Sequence, residues 1–278
     1  MRAPGLALAA ALLAGPAAAE DAVVALGGSV TEIVYALGEG DRLVARDSTS
    51  THPPEAEALP DVGYVRALSP EGVLSIGPTL ILAEEGAGPP EAVALLEEAG
   101  VPFRTIPDAL DGAGIAAKIR AVGEALGDGA DAERLAGEVE RELAEAQDTA
   151  AEMAGAEAPR VLFILSTQGG RITASGAGTA ADAIIRMAGG RNAADGFEGY
   201  KLMTDEAVTA AAPDAILMMD RGGDHGAADD ELRAMPALAA TPAALGGAVV
   251  RMDGLRLLGF GPRTAGAVRD LAQALHGG

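Results

Sequence analysis

Ser69-Pro70-Glu71-Gly72-Val73-Leu74-Ser75-Ile76-Gly77-Pro78 leads into the apolar run Leu80-Ile81-Leu82-Ala83. It has a counterpart in the other half of the chain, Thr204-Asp205-Glu206-Ala207-Val208-Thr209-Ala210-Ala211-Ala212-Pro213, which leads into Ala215 to Met219. In each copy a Ser or Thr stands where a helix N-cap belongs, a glutamate follows two residues later, and a proline seven residues after the glutamate ends the helix before a strand. A carboxylate in a first turn offsets the helix dipole by roughly 0.3–1 kcal/mol, which is reason enough for either glutamate alone. The same helix–Pro–strand unit once in each half favours two similar lobes that place equivalent glutamates, Glu71 and Glu206, on one outer face.

Outward from these units, Val23-Val24-Ala25-Leu26 reads as a buried strand, and Gly27-Gly28-Ser29 turns into an amphipathic helix from about Thr31 to Leu37 that Gly38 stops. A strand near Leu43-Val44-Ala45, the helix Pro90 to Ala99 and a strand within Val101 to Ile106 continue the alternation, which predicts a parallel sheet with crossover helices. Ile115 to Met153 is a long helical region broken near Gly127-Asp128-Gly129. Its second half, rich in Glu, Ala and Leu with i,i+4 charge pairs, is a candidate connector. Val161 to Leu165 opens a second alternating region with a helix Thr179 to Met187, strands Ala215 to Met219 and Ala248 to Val250, and a closing helix Ala265 to Leu275. The expected class is α/β, with two Rossmann-like lobes joined by a single long helix. The boundaries read as a signal peptide over 1–19, a first lobe over 20–127, a connecting helix over 128–154 and a second lobe over 155–278.

The chain has 278 residues, 49% of them apolar, more than one ordinary domain of about 100–200 residues requires. Met1-Arg2, the apolar run Leu6 to Leu13 and Ala17-Ala18-Ala19 have the form of a secretory signal cut after Ala19, while Pro4, Gly15 and Pro16 oppose a plain N-terminal helix. No later apolar run reaches the roughly 18 residues of a membrane span. Zero cysteines exclude a lipid-modified N-terminal cysteine, so the expected location is free in a periplasm. A formal charge of −21 argues against nucleic acid as a partner, because phosphate recognition needs clustered Lys and Arg.

An enzyme is hard to assemble from these residues. His52, His225 and His276 fall in loops or at the terminus, and neither a His-Glu-x-x-His motif nor a Gly-x-Ser-x-Gly elbow occurs. The adjacent acidic pairs Glu84-Glu85, Glu97-Glu98 and Asp229-Asp230 read as surface charge. Gly176-Ala177-Gly178-Thr179-Ala180-Ala181 matches a dinucleotide fingerprint, but about ten residues separate it from the end of the expected strand Val161 to Leu165, where the fingerprint needs the turn directly after the strand. Tyr64 is the remaining candidate. A phenol with an ordinary pKa of about 10 holds Fe(III) as phenolate only when the metal and a nearby cation favour ionisation, and Arg66 two residues on could supply that cation. Alternation along an extended segment would send both side chains to the same side. A half-buried tyrosine with a satisfied hydroxyl is the competing reading, and composition alone favours it.

The segment Pro60-Asp61-Val62-Gly63-Tyr64 to Leu74, the stretch Gly176 to Asp182 and on to Gly189-Gly190, and Leu257-Leu258-Gly259-Phe260-Gly261-Pro262-Arg263 together resemble the periplasmic haem-binding proteins of bacterial ABC haem importers, from about Val23 to the end. The resemblance implies a cleft between two lobes that holds ferric haem as cargo, with Tyr64 as iron ligand, Arg66 supporting it and Arg221 contacting haem from the second lobe. It implies that Glu71 and Glu206 dock onto an ABC permease with its ATPase, that an outer-membrane haem receptor lies upstream, and that the chain is a monomer and no enzyme. Some members of that family use a second-lobe histidine, but Ser166 to Gly176 contains none. Gln168 is no substitute, and His225 is a remote alternative. Cobalamin or a ferric siderophore on the same fold is the nearest rival cargo, and a nucleotide-dependent enzyme built on the Gly176 loop a distant one.

Overall fold

Val23, Val24, Ala25 and Leu26 are all fully buried, and the alternation of their side chains sets the layering of the molecule. The computed structural model describes residues 22–155, 158–220 and 228–277; the expected signal peptide, Arg221 and His225 lie outside them. Strand β1 (Val23–Leu26) pairs in parallel with β2 (Leu43–Arg46) and β3 (Leu80–Glu84), and β3 with β4 (Phe103–Ile106), in the order β2-β1-β3-β4. Crossovers carry α1 (Gly28–Ala36), α2 (Pro70–Leu74) and α3 (Pro90–Glu98). Then come α4 (Gly112–Leu126) and the 26-residue α5 (Gly129–Ala154), separated by a left-handed Gly127 with φ 81° that caps α4.

The second lobe holds β5 (Arg160–Ser166), β6 (Thr173–Ser175), α6 (Ala180–Met187), β7 (Arg191–Asn192), β8 (Tyr200–Leu202), α7 (Asp205–Ala211) and β9 (Ala215–Asp220). It continues with α8 (Asp229–Ala234), α9 (Pro242–Gly246), β10 (Val249–Asp253), α10 (Gly254–Leu258) and α11 (Thr264–His276). Its sheet runs β10-β9-β5-β6-β8, with β7 beside β5. Unlike the first sheet it is mixed. The turn from β5 to β6 is too short to hold a crossover, so β6 returns antiparallel, and β8 then pairs antiparallel to β6.

Alternate residues of each central strand face different cores. Val23 and Ala25, with Val161, Phe163 and Leu217, join one inner core that runs through α4, α5 and α11 and belongs to both lobes. Val24 and Leu26 face an outer core of the first lobe, and Leu162, Ile164 and Ile216 one of the second.

A buried charge also sits in this interior. Lys118 on α4 is fully buried, and its Nζ donates to Asp108 Oδ1 at 2.6 Å, Ser29 Oγ at 3.0 Å, Glu84 Oε1 at 3.2 Å and the carbonyl oxygen of Gly259 at 3.2 Å. Ser29 and Glu84 are themselves hydrogen-bonded. Burial pushes the Glu84 carboxyl above its ordinary 4.5 against the pull of Lys118; Asp108 adds to the rise, and the hydrogen bonds from Ser29 and Lys118 oppose it. The folded chain therefore keeps a proton that the unfolded chain has lost. The stability this gives is complete below pH 4.5 and is lost as pH rises through the raised folded value. Glu84→Gln, which does not titrate, should flatten that decline in denaturant midpoints measured between acid and neutral pH.

Candidate functional site

Parallel strands bring their C-terminal ends to one edge of a sheet, and the chain leaving β2 and β3 supplies the loops there. The loop after β2 is tied down first: Val62 N donates to Arg46 O at 2.9 Å and Ser48 N to Gly63 O at 2.9 Å. Gly63 has φ 98°, open to glycine and strained for other residues, and its N–H is held by Asp61 Oδ1 at 2.8 Å. That reversal delivers Tyr64 into a turn closed by Ala67 N donating to Tyr64 O at 2.8 Å. Val65 is buried, and Gly88 bonds both neighbours of the turn, through Gly88 N to Val65 O at 2.9 Å and Leu68 N to Gly88 O at 2.8 Å. The backbone under Tyr64 is thus stitched to the β3–α3 loop while the ring stays exposed.

Arg66 follows a turn, not an extended strand, so strand alternation does not describe where it points. Its Nη1 donates to Gly86 O at 3.4 Å, and a Cβ on Gly86 would come within 3.0 Å of that nitrogen. The charge reaches across to the other lobe. Burial raises the pKa of Tyr200 above its usual 10.0, hydrogen bonds to Ser175 and Thr179 and the positive charge of Arg66 pull it back, and the negative charge that Tyr64 would carry adds to the rise. The phenol of Tyr200 therefore lies within electrostatic reach of both Tyr64 and Arg66.

Tyr200 sits on edge strand β8, opposite Ser175 of β6, and Leu202, two residues on, shares its face. Tyr64, Tyr200 and Leu202 are 47%, 42% and 55% exposed, and they make up three of the five large apolar residues so exposed among the described residues. An uncovered apolar surface with two phenol hydroxyls is what a flat, largely apolar ligand would cover.

Sequence reasoning missed Tyr200, although the internal echo pointed to it. Tyr64 stands five residues before the cap Ser69, and Tyr200 four before the cap Thr204. The echo itself is realised closely. Ser69 Oγ accepts from Gly72 N and Thr204 Oγ1 from Ala207 N, each at 3.2 Å, while Val73 and Val208 are fully buried at matching places. Glu71 and Glu206 are exposed in the first turns of α2 and α7.

The Gly176 loop has a packing reason for its glycines. A Cβ on Gly176 would lie 2.2 Å from the Phe197 carbonyl oxygen, and Gly178 N already donates to Asp182 Oδ2 at 3.2 Å. The loop thus seats the chain leading to β8, with a carboxylate where a phosphate would need donors. Among the described residues no group of three or more His, Cys, Asp or Glu side chains could hold a metal ion.

A model of the periplasmic binding protein family matches residues 23–254. The periplasmic haem-binding protein RhuT of Roseiflexus sp. RS-1 superposes with a TM-score of 0.88 at 42% identity, covering 92% of this chain and 98% of that one. The periplasmic haem-binding protein BhuT, solved with two haems, gives 0.86 at 43% identity, covering 92% and 97%. The substrate-binding lipoprotein YvrC of an ABC transporter from Bacillus subtilis is 32% identical over 71% of this chain, and the chain spans 63% of that curated relative.

The electrostatic pairing across the lobes has a direct check. Arg66→Ala removes a cation that favours the Tyr200 phenolate, so the Tyr200 transition in an ultraviolet tyrosinate titration, assigned with Tyr200→Phe, should move to higher pH.

Proposed function

We propose, because this chain belongs to the periplasmic binding protein family, that it captures ferric haem between its two lobes and delivers it to an ABC permease and its ATPase. One observation carries the reading. Tyr64 and Tyr200 project from different lobes into a shared electrostatic neighbourhood with Arg66, on a fold matched at over 40% identity by haem-binding proteins. In this reading the protein is a carrier and not an enzyme, is exported with loss of residues 1–19, and acts as a monomer in the periplasm.

The chemistry follows from the residues present. Fe(III) is a hard cation that accepts phenolate oxygen, and tyrosine is a known axial haem ligand type. Tyr64, exposed on a braced turn, is the iron ligand. Arg66 supplies positive charge beside the phenols and a donor for a propionate carboxylate. Beyond Tyr64, the one ligand expected from the resemblance, Tyr200 offers a second phenol from the other lobe. Leu202 adds apolar cover for the porphyrin face.

Hemin titration with counted equivalents tests this. Wild-type protein should give a saturating ferric spectrum with phenolate character that Tyr64→Ala largely abolishes, and an unchanged spectrum in that variant would sink the ligand assignment. Tyr200→Phe separates two arrangements. A protein holding two haems should fall to one, and a protein holding one should change its spectrum as one axial phenol is lost. Tighter binding of cobalamin or a ferric siderophore than of hemin would overturn the choice of cargo.

Glu71 and Glu206 support the delivery step. Each is an exposed carboxylate at an equivalent helix start, suited to arginines on a permease. Reversing both charges should leave hemin binding intact and block uptake in cells. Normal uptake by the double variant would remove the docking role.

A further inference from the structure

The segment Leu258-Gly259-Phe260-Gly261-Pro262-Arg263 takes no part in the proposed haem chemistry, yet it is one place where the second lobe touches the first. It leaves α10 and lies across α1. Arg263 offers Glu32 two bonds, from its backbone N to Oε1 at 3.2 Å and from Nη2 to Oε2 at 2.9 Å. The Glu32 side chain is only 7% exposed, so this pair is largely shielded from water. A Cβ on Gly261 would lie 3.5 Å from Ser29 Cβ and 3.6 Å from the Glu32 carboxyl, so the two backbones meet closely. Phe260 is buried with φ 48°, a left-handed conformation that the surrounding contacts must hold in place. Beside it, Gly259 accepts from the buried Lys118, whose three ammonium protons serve four acceptors.

This seam is also connected to the ligand site. Glu84, bonded to Lys118, is the last residue of β3, and two residues later Gly86 O accepts from Arg66. Glu85 reinforces the link, since its N donates to Ile106 O at 2.8 Å and its Oε2 accepts from Asp108 N at 3.3 Å. A short run of bonds thus joins the Lys118 cluster to the loop that braces Tyr64 and Arg66.

We propose that Glu32–Arg263 and Lys118–Gly259 form a polar latch between the lobes, and that these positioning residues set the lobe angle and hence how long the cleft retains its cargo. The part concerning retention rests on the haem reading; the part concerning lobe angle does not. The latch complements α5. The helix fixes how far apart the lobes are, and the latch fixes how they face each other. Arg263 Nε is buried without a hydrogen-bond partner among the described residues, so the closed seam falls one bond short of full satisfaction, which lowers the cost of opening it.

The absence of cysteine allows a clean measurement. Leu95→Cys on α3 and Leu245→Cys on α9, both exposed and in different lobes, accept spin labels whose separation pulsed EPR reads in ligand-free protein. Arg263→Glu, which sets two carboxylates against each other, should broaden and shift that distance distribution. It should also speed hemin transfer to haem-free myoglobin by roughly tenfold. Arg263→Gln should fall between it and wild type, and Glu32→Arg with Arg263→Glu should recover much of both readouts. Should Arg263→Glu fail to fold, Arg263→Gln and the double swap carry the test. Unchanged distances in the variants overturn the latch, as does faster transfer without any change in distance. Failure of wild-type protein to bind hemin overturns the cargo instead, and the ligand-free distances still decide the latch.

Discussion

Along α5 the buried positions Ala132, Ala136, Val139, Leu143, Ala146 and Ala150 succeed one another in steps of four and three, and both halves of the molecule are built against the seam they form. Small side chains let neighbouring helices approach closely. On α4, a Cβ at Gly123 would come within 2.1 Å of Ala132, so that backbone contact exists only because glycine is there. On the other side α11 packs along the same helix. Because the inner core includes strands of both sheets, separating the lobes would expose apolar surface belonging to each. The two lobes share a continuous interior, and relative motion between them is restricted to movements that keep α5 covered.

This explains how much of the molecule was legible beforehand. The central strands, the break at Gly127-Asp128-Gly129 and the long helix all announce themselves through local pattern, because burial on one face leaves a periodic imprint in the sequence. Strands β6 and β8 leave almost none. Each has three residues, and β8 is exposed throughout, so nothing in its composition demands a strand. Its place is fixed by close approach, with Gly176 admitting the Phe197 carbonyl, and that is a tertiary fact.

The site shows the same division. Tyr64 was identifiable by chemical type and by family resemblance, and the paired helix starts by counting. The relation of Arg66 to Tyr64 was not, because an alternation rule presumes extended backbone and residues 64–67 form a turn. Tyr200 was hidden for a different reason. A tyrosine has no intrinsic claim to a ligand role, and what sets this one apart is that it shares a field with a cation and a phenol more than 130 residues away in sequence. Such pairings are set by how two lobes face each other, which no window of sequence contains.

Tyr200 and Leu202 stand on the outermost strand of their sheet, three residues long and bonded to one neighbour, β6. Neither side chain belongs to any of the three cores, so substitution there has a small effect on folding and an immediate one on the exposed surface. Tyr64, by contrast, rides on a turn braced by Val65 and Gly88. The turn is therefore conservative by construction and the strand free to vary, and sequence change at β8 needs no stability gained elsewhere to survive.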